Sequence, residues 1–215
     1  MNCIDVYLIR HPECKVNQTP GFINGRSNHS PVTDLGKKQT LTLLNKLKKE
    51  GIFFDEIYSS PAKRTMHIAK LFVDKFENII IDENLQELDQ GEWTGKERSK
   101  MYTSEVVEDM NGDHWNFKAP GGESQNEVGQ RGMKWAKKYV VDRLPKLDKD
   151  IHIAVFTHGV FTKCFLANTI GLDKQTAWKT QIDNASITHL KYDGSWSLVR
   201  VNDSSHINEL DASSS

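Results

Sequence analysis

The sequence predicts an α/β protein, a three-layer α/β/α sandwich with a mixed, largely parallel central sheet. Two observations carry that reading. Short runs of branched apolar residues alternate with longer amphipathic stretches from Ile4 to beyond Val160, the pattern of strands joined by crossover helices. The chain then closes on two β-rich stretches, Ala185 to Tyr192 and Trp196 to Val201. Asp193-Gly194 between them is a hairpin turn signal, which puts an antiparallel edge on the sheet.

Ile4 to Ile9 reads as a short buried strand that stops at Arg10-His11-Pro12. Residues 14–32, rich in Pro, Gly, Asn and Ser, read as a loop. Thr33 to Glu50 reads as an amphipathic helix with Leu41, Leu44 and Leu47 on one face and Gly51 just past its end. Phe53 to Ser59 is a second strand. Ser60-Pro61 places an N-cap and a first-position proline after it, so a helix is expected there, with Ile68, Ala69, Phe72 and Phe76 inward. Asn78 to Ile81 supplies another strand. Residues 89–122 are polar and punctuated by Gly91, Gly95, Gly112, Pro120, Gly121 and Gly122, an irregular excursion. Ser124 and Glu127 form a capping box that opens a helix expected to reach Leu144. Ile151 to Thr157 is a buried strand, and a helix follows from about Val160.

The composition narrows the function classes. The chain has 215 residues, 27% charged and 37% hydrophobic, with a net charge of -1. That balance disfavours nucleic acid or an anionic membrane as the main partner, since either selects a basic excess. Three cysteines, Cys3, Cys14 and Cys164, with no CxxC spacing favour reduced thiols over a disulfide framework or zinc ribbon. With no leader-like or membrane-length segment legible, a cytoplasmic address is expected. The whole chain, 1–215, reads as a single domain, with 89–122 covering the site; its serine-rich end is the sole low-complexity stretch. Oligomeric state is not legible.

In an open α/β sheet, ligands bind beyond the carboxyl ends of the strands. Here the first strand is followed by Arg10 and His11, the second by Ser59-Ser60-Pro61 and then Arg64, and the Ile151 strand by His158-Gly159. Two histidines and two arginines thus converge on one crevice. Guanidinium groups match the oxygens of a phosphoryl group in a bidentate way, and helix N-termini add N–H donors. As a zinc pair the two histidines lack a third ligand at a usual spacing.

These segments resemble the histidine phosphatase superfamily, in the branch shared by cofactor-dependent phosphoglycerate mutases and small-molecule phosphatases. The resemblance rests on Arg10-His-Pro-Glu13 with Asn17, Pro31-Val-Thr-Asp-Leu-Gly36, Ser59-Ser-Pro-Ala-Lys-Arg64, and Leu85-Gln-Glu87 with Gly91-Glu-Trp-Thr-Gly95. Pro120-Gly-Gly-Glu-Ser124, Thr157-His-Gly159 and Asn184-Ala-Ser-Ile-Thr188 complete it, in the family's order over nearly the whole chain. It implies a phosphoglycerate mutase-like fold. By position it implies that His11 is the nucleophile and that Arg10, Asn17, Arg64 and His158 bind the phosphoryl oxygens. Glu87 would be the acid that protonates the leaving oxygen, with Glu83, Asp89 and Glu92 as rivals on chemistry alone. No metal and no cofactor are implied, because the arginines supply the cationic clamp.

Two positions depart from the family pattern. Pro12 stands where glycine is usual, fixing φ and removing an N–H. Cys14 stands where serine or threonine is common. His29, His67, His114, His152, His189 and His206 sit in no motif and read as structural or surface residues. Trp93, Trp115 and Phe117 read as packing residues, and Arg26 and Lys63 lie near enough to motif residues to reach a substrate.

Three functions are compatible with the nucleophile: a phosphomonoesterase, a 2,3-bisphosphoglycerate-dependent phosphoglycerate mutase, and a catalytically inactive regulatory or binding protein. Intact Arg10, His11, Arg64, Glu87 and His158 disfavour the last. Mutases of the resembling branch carry a different segment after Glu87 and an Arg-Arg pair further on. This chain has Asp89-Gln-Gly-Glu-Trp-Thr-Gly-Lys96 and no adjacent arginines, so hydrolysis of a small phosphorylated substrate is expected.

Overall fold

The computed structural model describes residues 2–207; the serine-rich end lies outside the described residues. Within them, six strands form one mixed sheet: β1 (Ile4–Arg10), β2 (Glu56–Ser59), β3 (Ile79–Ile81), β4 (Ile151–Thr157), β5 (Ile187–Tyr192) and β6 (Trp196–Asp203). Their spatial order is β3-β2-β4-β1-β5-β6. The first four strands pair parallel, while β5 and β6 pair antiparallel as the closing hairpin predicts.

The α-helices are α1 (Asp34–Lys49), α2 (Lys63–Ala69), α3 (Arg98–Met101), α4 (Ser104–Gly112), α5 (Gln125–Ala136), α6 (Gly159–Thr169) and α7 (Lys174–Lys179). Alternation along β1 sorts the two faces of the sheet. Tyr7 and Ile9 pack with Leu43 and Leu47 of α1 and with Met66, Ile68 and Ala69 of α2. Ile4, Val6 and Leu8 pack on the other side with Val128, Trp135 and Ala136 of α5 and Phe161 and Phe165 of α6. The three-layer sandwich follows directly. Because the segments leaving β1 and β4 run to opposite faces, a crevice opens at the carboxyl ends of these two neighbours.

Several local expectations are corrected. The buried face of α1 is Gly36, Gln39, Thr40, Leu43 and Leu47, while Leu41 is 59% exposed. The small residues lead that face because the helix must approach the loop after β1 closely. A Cβ on Gly36 would lie 2.1 Å from the Glu13 carbonyl oxygen. The helix after β2 begins at Lys63 with Ala62 as its N-cap. Ser60 is still tied to the sheet by its N–H, which donates to the Phe156 carbonyl (3.0 Å). Phe72 is partly buried, but Phe76 is exposed. The stretch 89–122 contains two helices, α3 and α4. The Ser124–Glu127 capping box is formed reciprocally as expected. Its helix ends at Ala136 and continues as a wider turn, Lys137–Val141, ahead of Pro145.

Candidate active site

β1 and β4 run in register from Ile4 opposite Ile151 to Arg10 opposite Thr157. His11 and His158, one residue further on, therefore leave adjacent parallel strands side by side, with ring centroids 5.3 Å apart. The backbone of His11 is tethered on both sides. Its N–H donates to the Thr157 carbonyl (3.0 Å), and its carbonyl accepts from the Ala185 N–H (3.2 Å) and from Asn184 Nδ2 (3.0 Å). Ala185 holds φ at 57°, a left-handed conformation unusual for a non-glycine residue and retained here beside His11.

The ring of His11 is buried, and its Nδ1 lies 2.8 Å from the Pro12 carbonyl oxygen. A carbonyl only accepts, so Nδ1 carries the hydrogen and Nε2 carries the lone pair. Burial, then Arg64 and Arg10, hold this imidazole well below its ordinary pKa. It is neutral at neutral pH, the form in which an imidazole can act as a nucleophile.

Arg64 sits in the first turn of α2, almost wholly buried. Its Nη1 donates to the Ser27 carbonyl (2.9 Å), and its Nη2 to the Arg26 carbonyl (2.9 Å) and to His158 Nδ1 (3.1 Å). Left-handed backbone at Gly25 and Ser27, on either side of Arg26, shapes the loop that presents these carbonyls. Arg10 donates through Nη1 to the Ile182 carbonyl. The Nε of Arg10 and the Nε of Arg64 are both buried with no hydrogen-bond partner among the described residues. Buried cationic donors left unpaired are costly, and an anionic ligand would satisfy them.

Asn17 Oδ1 accepts from the Cys14 N–H (3.0 Å), the Cys14 thiol (3.1 Å) and Asn184 Nδ2 (3.4 Å). Its oxygen is thus occupied, which leaves the amide NH2 as the donor for the cavity that Asn17 lines. Cys14 is fully buried and acts there as a hydrogen-bond donor. Glu87 is cradled at the N-terminus of α6: its carboxylate accepts from the N–H groups of Val160 (3.2 Å), Phe161 (3.1 Å) and Leu88 (2.9 Å).

Arg10, His11, Asn17, Arg64 and Glu87 all line one cavity of about 360 Å³. His158 is gathered into the cluster but does not line it. Its Nε2–H donates to Ser60 Oγ (2.9 Å) while Nδ1 accepts from Arg64, and burial keeps the ring neutral, well below its ordinary pKa. Of the four candidate acids, only Glu87 faces the cavity; Asp89 instead pairs with Arg26 (3.4 Å). Arg26 and Lys63 do not line it either. No group of three or more His, Cys, Asp or Glu side chains among the described residues could hold a metal ion.

The sequence reading expects 89–122 to cover the site but takes Trp93 and Phe117 for packing residues and His114 for a structural or surface one. Trp93, Tyr102, His114 and Phe117, together with Trp178 of α7, line the cavity. Trp93 packs against the rings of Tyr102 and Phe117, both at 5.8 Å, and His114 packs edge-on against Trp178 at 4.4 Å. Trp115 is buried in the core, as expected of a packing residue. The available signal was position: these residues, Trp178 apart, lie in the excursion that begins two residues after Glu87.

A family model described as the histidine phosphatase superfamily (branch 1) matches residues 6–204. A relative from Hydrogenobacter thermophilus, named "Putative phosphoserine phosphatase 2", is 27% identical over 209 residues, covering 95% of this chain and 98% of the relative. A relative from Shigella boydii, named "Probable phosphoglycerate mutase GpmB", is 27% identical over 220 residues, covering 95% of each. Among solved structures, a mutant phosphoserine phosphatase from Entamoeba histolytica, crystallised in complex with phosphoserine, superposes with a TM-score of 0.78. It is 22% identical and covers 94% of this chain and 98% of that one, a likeness of fold.

Proposed function

This chain belongs to the histidine phosphatase superfamily, and from that membership we propose that it is a phosphomonoesterase working through a phosphohistidine on His11. The observation that carries the reading is the floor of the cavity. There a buried, neutral imidazole with its lone pair on Nε2 shares one site with two buried guanidinium groups whose Nε atoms lack partners among the described residues.

In this reading Nε2 of His11 attacks phosphorus, and the bond from phosphorus to the ester oxygen breaks. Glu87 gives its proton to that oxygen, and the alcohol leaves. Water then attacks the phosphohistidine and loses a proton to Glu87, which restores both residues and releases phosphate. Arg10, Arg64 and the Asn17 amide bind the phosphoryl oxygens and stabilise the charge spread over them. His158 takes part through Arg64, whose Nη2 it accepts. Both rings must be neutral for these roles, and burial supplies that condition.

A mutase reading is raised by the name of the Shigella relative, but the Asp89–Lys96 stretch and the absence of adjacent arginines favour hydrolysis. The test is phosphate release from a panel of phosphate monoesters, with His11→Ala alongside. We expect the wild type to release phosphate and to carry an acid-labile phosphoryl adduct when quenched during turnover, and folded His11→Ala to do neither. Wild-type release by the mutant, or conversion of 3-phosphoglycerate to 2-phosphoglycerate faster than its hydrolysis, would overturn the proposal.

A further inference from the structure

The Pro120-Gly-Gly-Glu-Ser124 motif lies outside the reaction just described, and its partner is an arginine with no part in any motif. Arg131, on α5, is 9% exposed and uses its whole fork. Nε and Nη2 pair with the Glu123 carboxylate (2.8 and 3.1 Å), Nη1 donates to the Asn84 carbonyl (2.7 Å) and Nη2 to the Glu87 carbonyl (3.1 Å). The guanidinium also lies over the ring of Phe161, 5.7 Å from its centroid. Phe161 is one of the residues whose N–H holds the Glu87 carboxylate. Arg131 therefore touches Glu87 from behind at its backbone and braces the residue that holds its side chain in front.

The need for such a brace follows from the local backbone. The short turn Glu83–Leu85 and residues 86–90 after it belong to no strand or α-helix, so their polar groups must be satisfied by side chains or isolated contacts. The Leu85 carbonyl is taken by Thr157 Oγ1 (2.8 Å), and those of Asn84 and Glu87 by Arg131. Glu123 extends the tie: its Oε2 accepts from the Asp89 N–H (3.2 Å) and pairs with Arg26 (3.3 Å). Arg26 Nε reaches the same Glu87 carbonyl (3.4 Å), and the carbonyl of Arg26 is one of the two that hold Arg64. A continuous polar chain thus registers the Glu87 segment against a guanidinium of the cavity floor. The turn that carries Glu123 fits because Gly122 and Gly91 let two backbones meet; a Cβ on Gly91 would lie 2.2 Å from the Pro120 carbonyl oxygen.

We propose that Arg131, paired with Glu123, is a positioning residue that aims the Glu87 carboxyl at the leaving oxygen. This rests on the reading of Glu87 as the acid. A misplaced acid costs most where the leaving group most needs a proton, so the effect is read in leaving-group dependence.

The experiment compares kcat and KM for p-nitrophenyl phosphate and an alkyl phosphate such as glycerol phosphate. The variants are Glu87→Gln, Arg131→Met, Arg131→Lys, Glu123→Gln and the Glu87→Gln/Arg131→Met double mutant. Arg131→Met is expected to lower kcat on the alkyl ester about 100-fold, to lower it only a few-fold on the aryl ester, and to leave KM nearly unchanged. The double mutant should lose little more than Glu87→Gln alone. Arg131→Lys and Glu123→Gln, which keep a cation at position 131, should show the same bias in weaker form and serve if the methionine variant does not fold. Equal losses on both esters, or additive losses in the double mutant, would overturn the assignment of Arg131. If Glu87→Gln itself shows no leaving-group bias, the reading of Glu87 as the acid fails instead, and the two failures are told apart.

Discussion

The Nδ1–H of His11 and the carbonyl of Pro12 are joined across 2.8 Å, so the residue that departs from the family pattern is the one that sets the tautomer of the proposed nucleophile. Only the carbonyl of residue 12 is needed for this, and glycine supplies it equally well. Pro12→Gly should therefore keep its turnover to within about two-fold. It should lose about 0.4–1 kcal/mol of stability through the greater freedom of the unfolded chain. Melting temperature and phosphate release on one preparation check this. A several-fold gain in rate would show that proline holds the ring away from its best geometry.

Stability should fall as the pH is lowered from about 6.5. Burial is the first cause holding His11 and His158 neutral in the folded protein, and it lowers His67, His114 and His189 in the same direction. The unfolded chain then binds protons that the folded chain refuses, so each wholly buried ring removes up to about 1.4 kcal/mol per pH unit below its unfolded pKa. Carboxylates whose folded pKa is depressed, such as Glu56 beside Arg143, act in the same direction but only nearer pH 4. Denaturant unfolding between pH 7.5 and 5.5 isolates the histidines. A flat profile across that window would contradict their neutral burial.

Activity should survive exhaustive treatment with EDTA. The positive charge facing the cavity floor is covalently part of the chain, on Arg10 and Arg64. Phosphate release is measured before and after chelation and dialysis; loss of activity that zinc or magnesium restores would show that a metal supplies part of the clamp.

Gly36→Ala should be severe for a substitution of one methyl group. The new Cβ would stand 2.1 Å from the Glu13 carbonyl oxygen, which is backbone and has no rotamer to yield. Either α1 or the loop after His11 must move, at a cost of about 1–3 kcal/mol or more. We expect a lower melting temperature together with reduced turnover, because Thr33 at the cap of α1 also bonds Glu13, two residues from His11 (2.6 Å). Wild-type behaviour in both assays would show that the contact is easily relieved.

The cavity floor was legible in the sequence because strand ends announce themselves. A run of branched apolar residues stopping at Arg10-His11, or at His158-Gly159, locates a side chain without any knowledge of packing. The outer wall gave no such signal. Trp93 and Phe117 are aromatic residues in polar surroundings, and composition does not say whether such a ring faces protein or cavity. α3 and α4, with four and nine residues, are too short to show a clear period. Ser60 looked like a helix cap because capping and accepting from His158 ask for the same hydroxyl. Arg131 was invisible for another reason: an arginine on an amphipathic helix is read as solvent-facing until its carboxylate, eight residues earlier, is seen across from it.

The in-register pairing of β1 with β4 has a consequence for how such a chain can diverge. Inserting or deleting one residue in either strand would turn its core side chains to the opposite face and separate the two histidines, so no small step leads away from that arrangement. The segment bearing Trp93, Tyr102, His114 and Phe117 contributes no strand to the sheet and tolerates length changes that the strands do not. On the proposed function, descendants of this chain can therefore exchange one phosphorylated alcohol for another by replacing the segment between Gly91 and Pro120, while Arg10, His11, Arg64 and Glu87 are inherited unchanged. New specificities are within reach of recombination at two glycine-lined turns, and a new reaction is not.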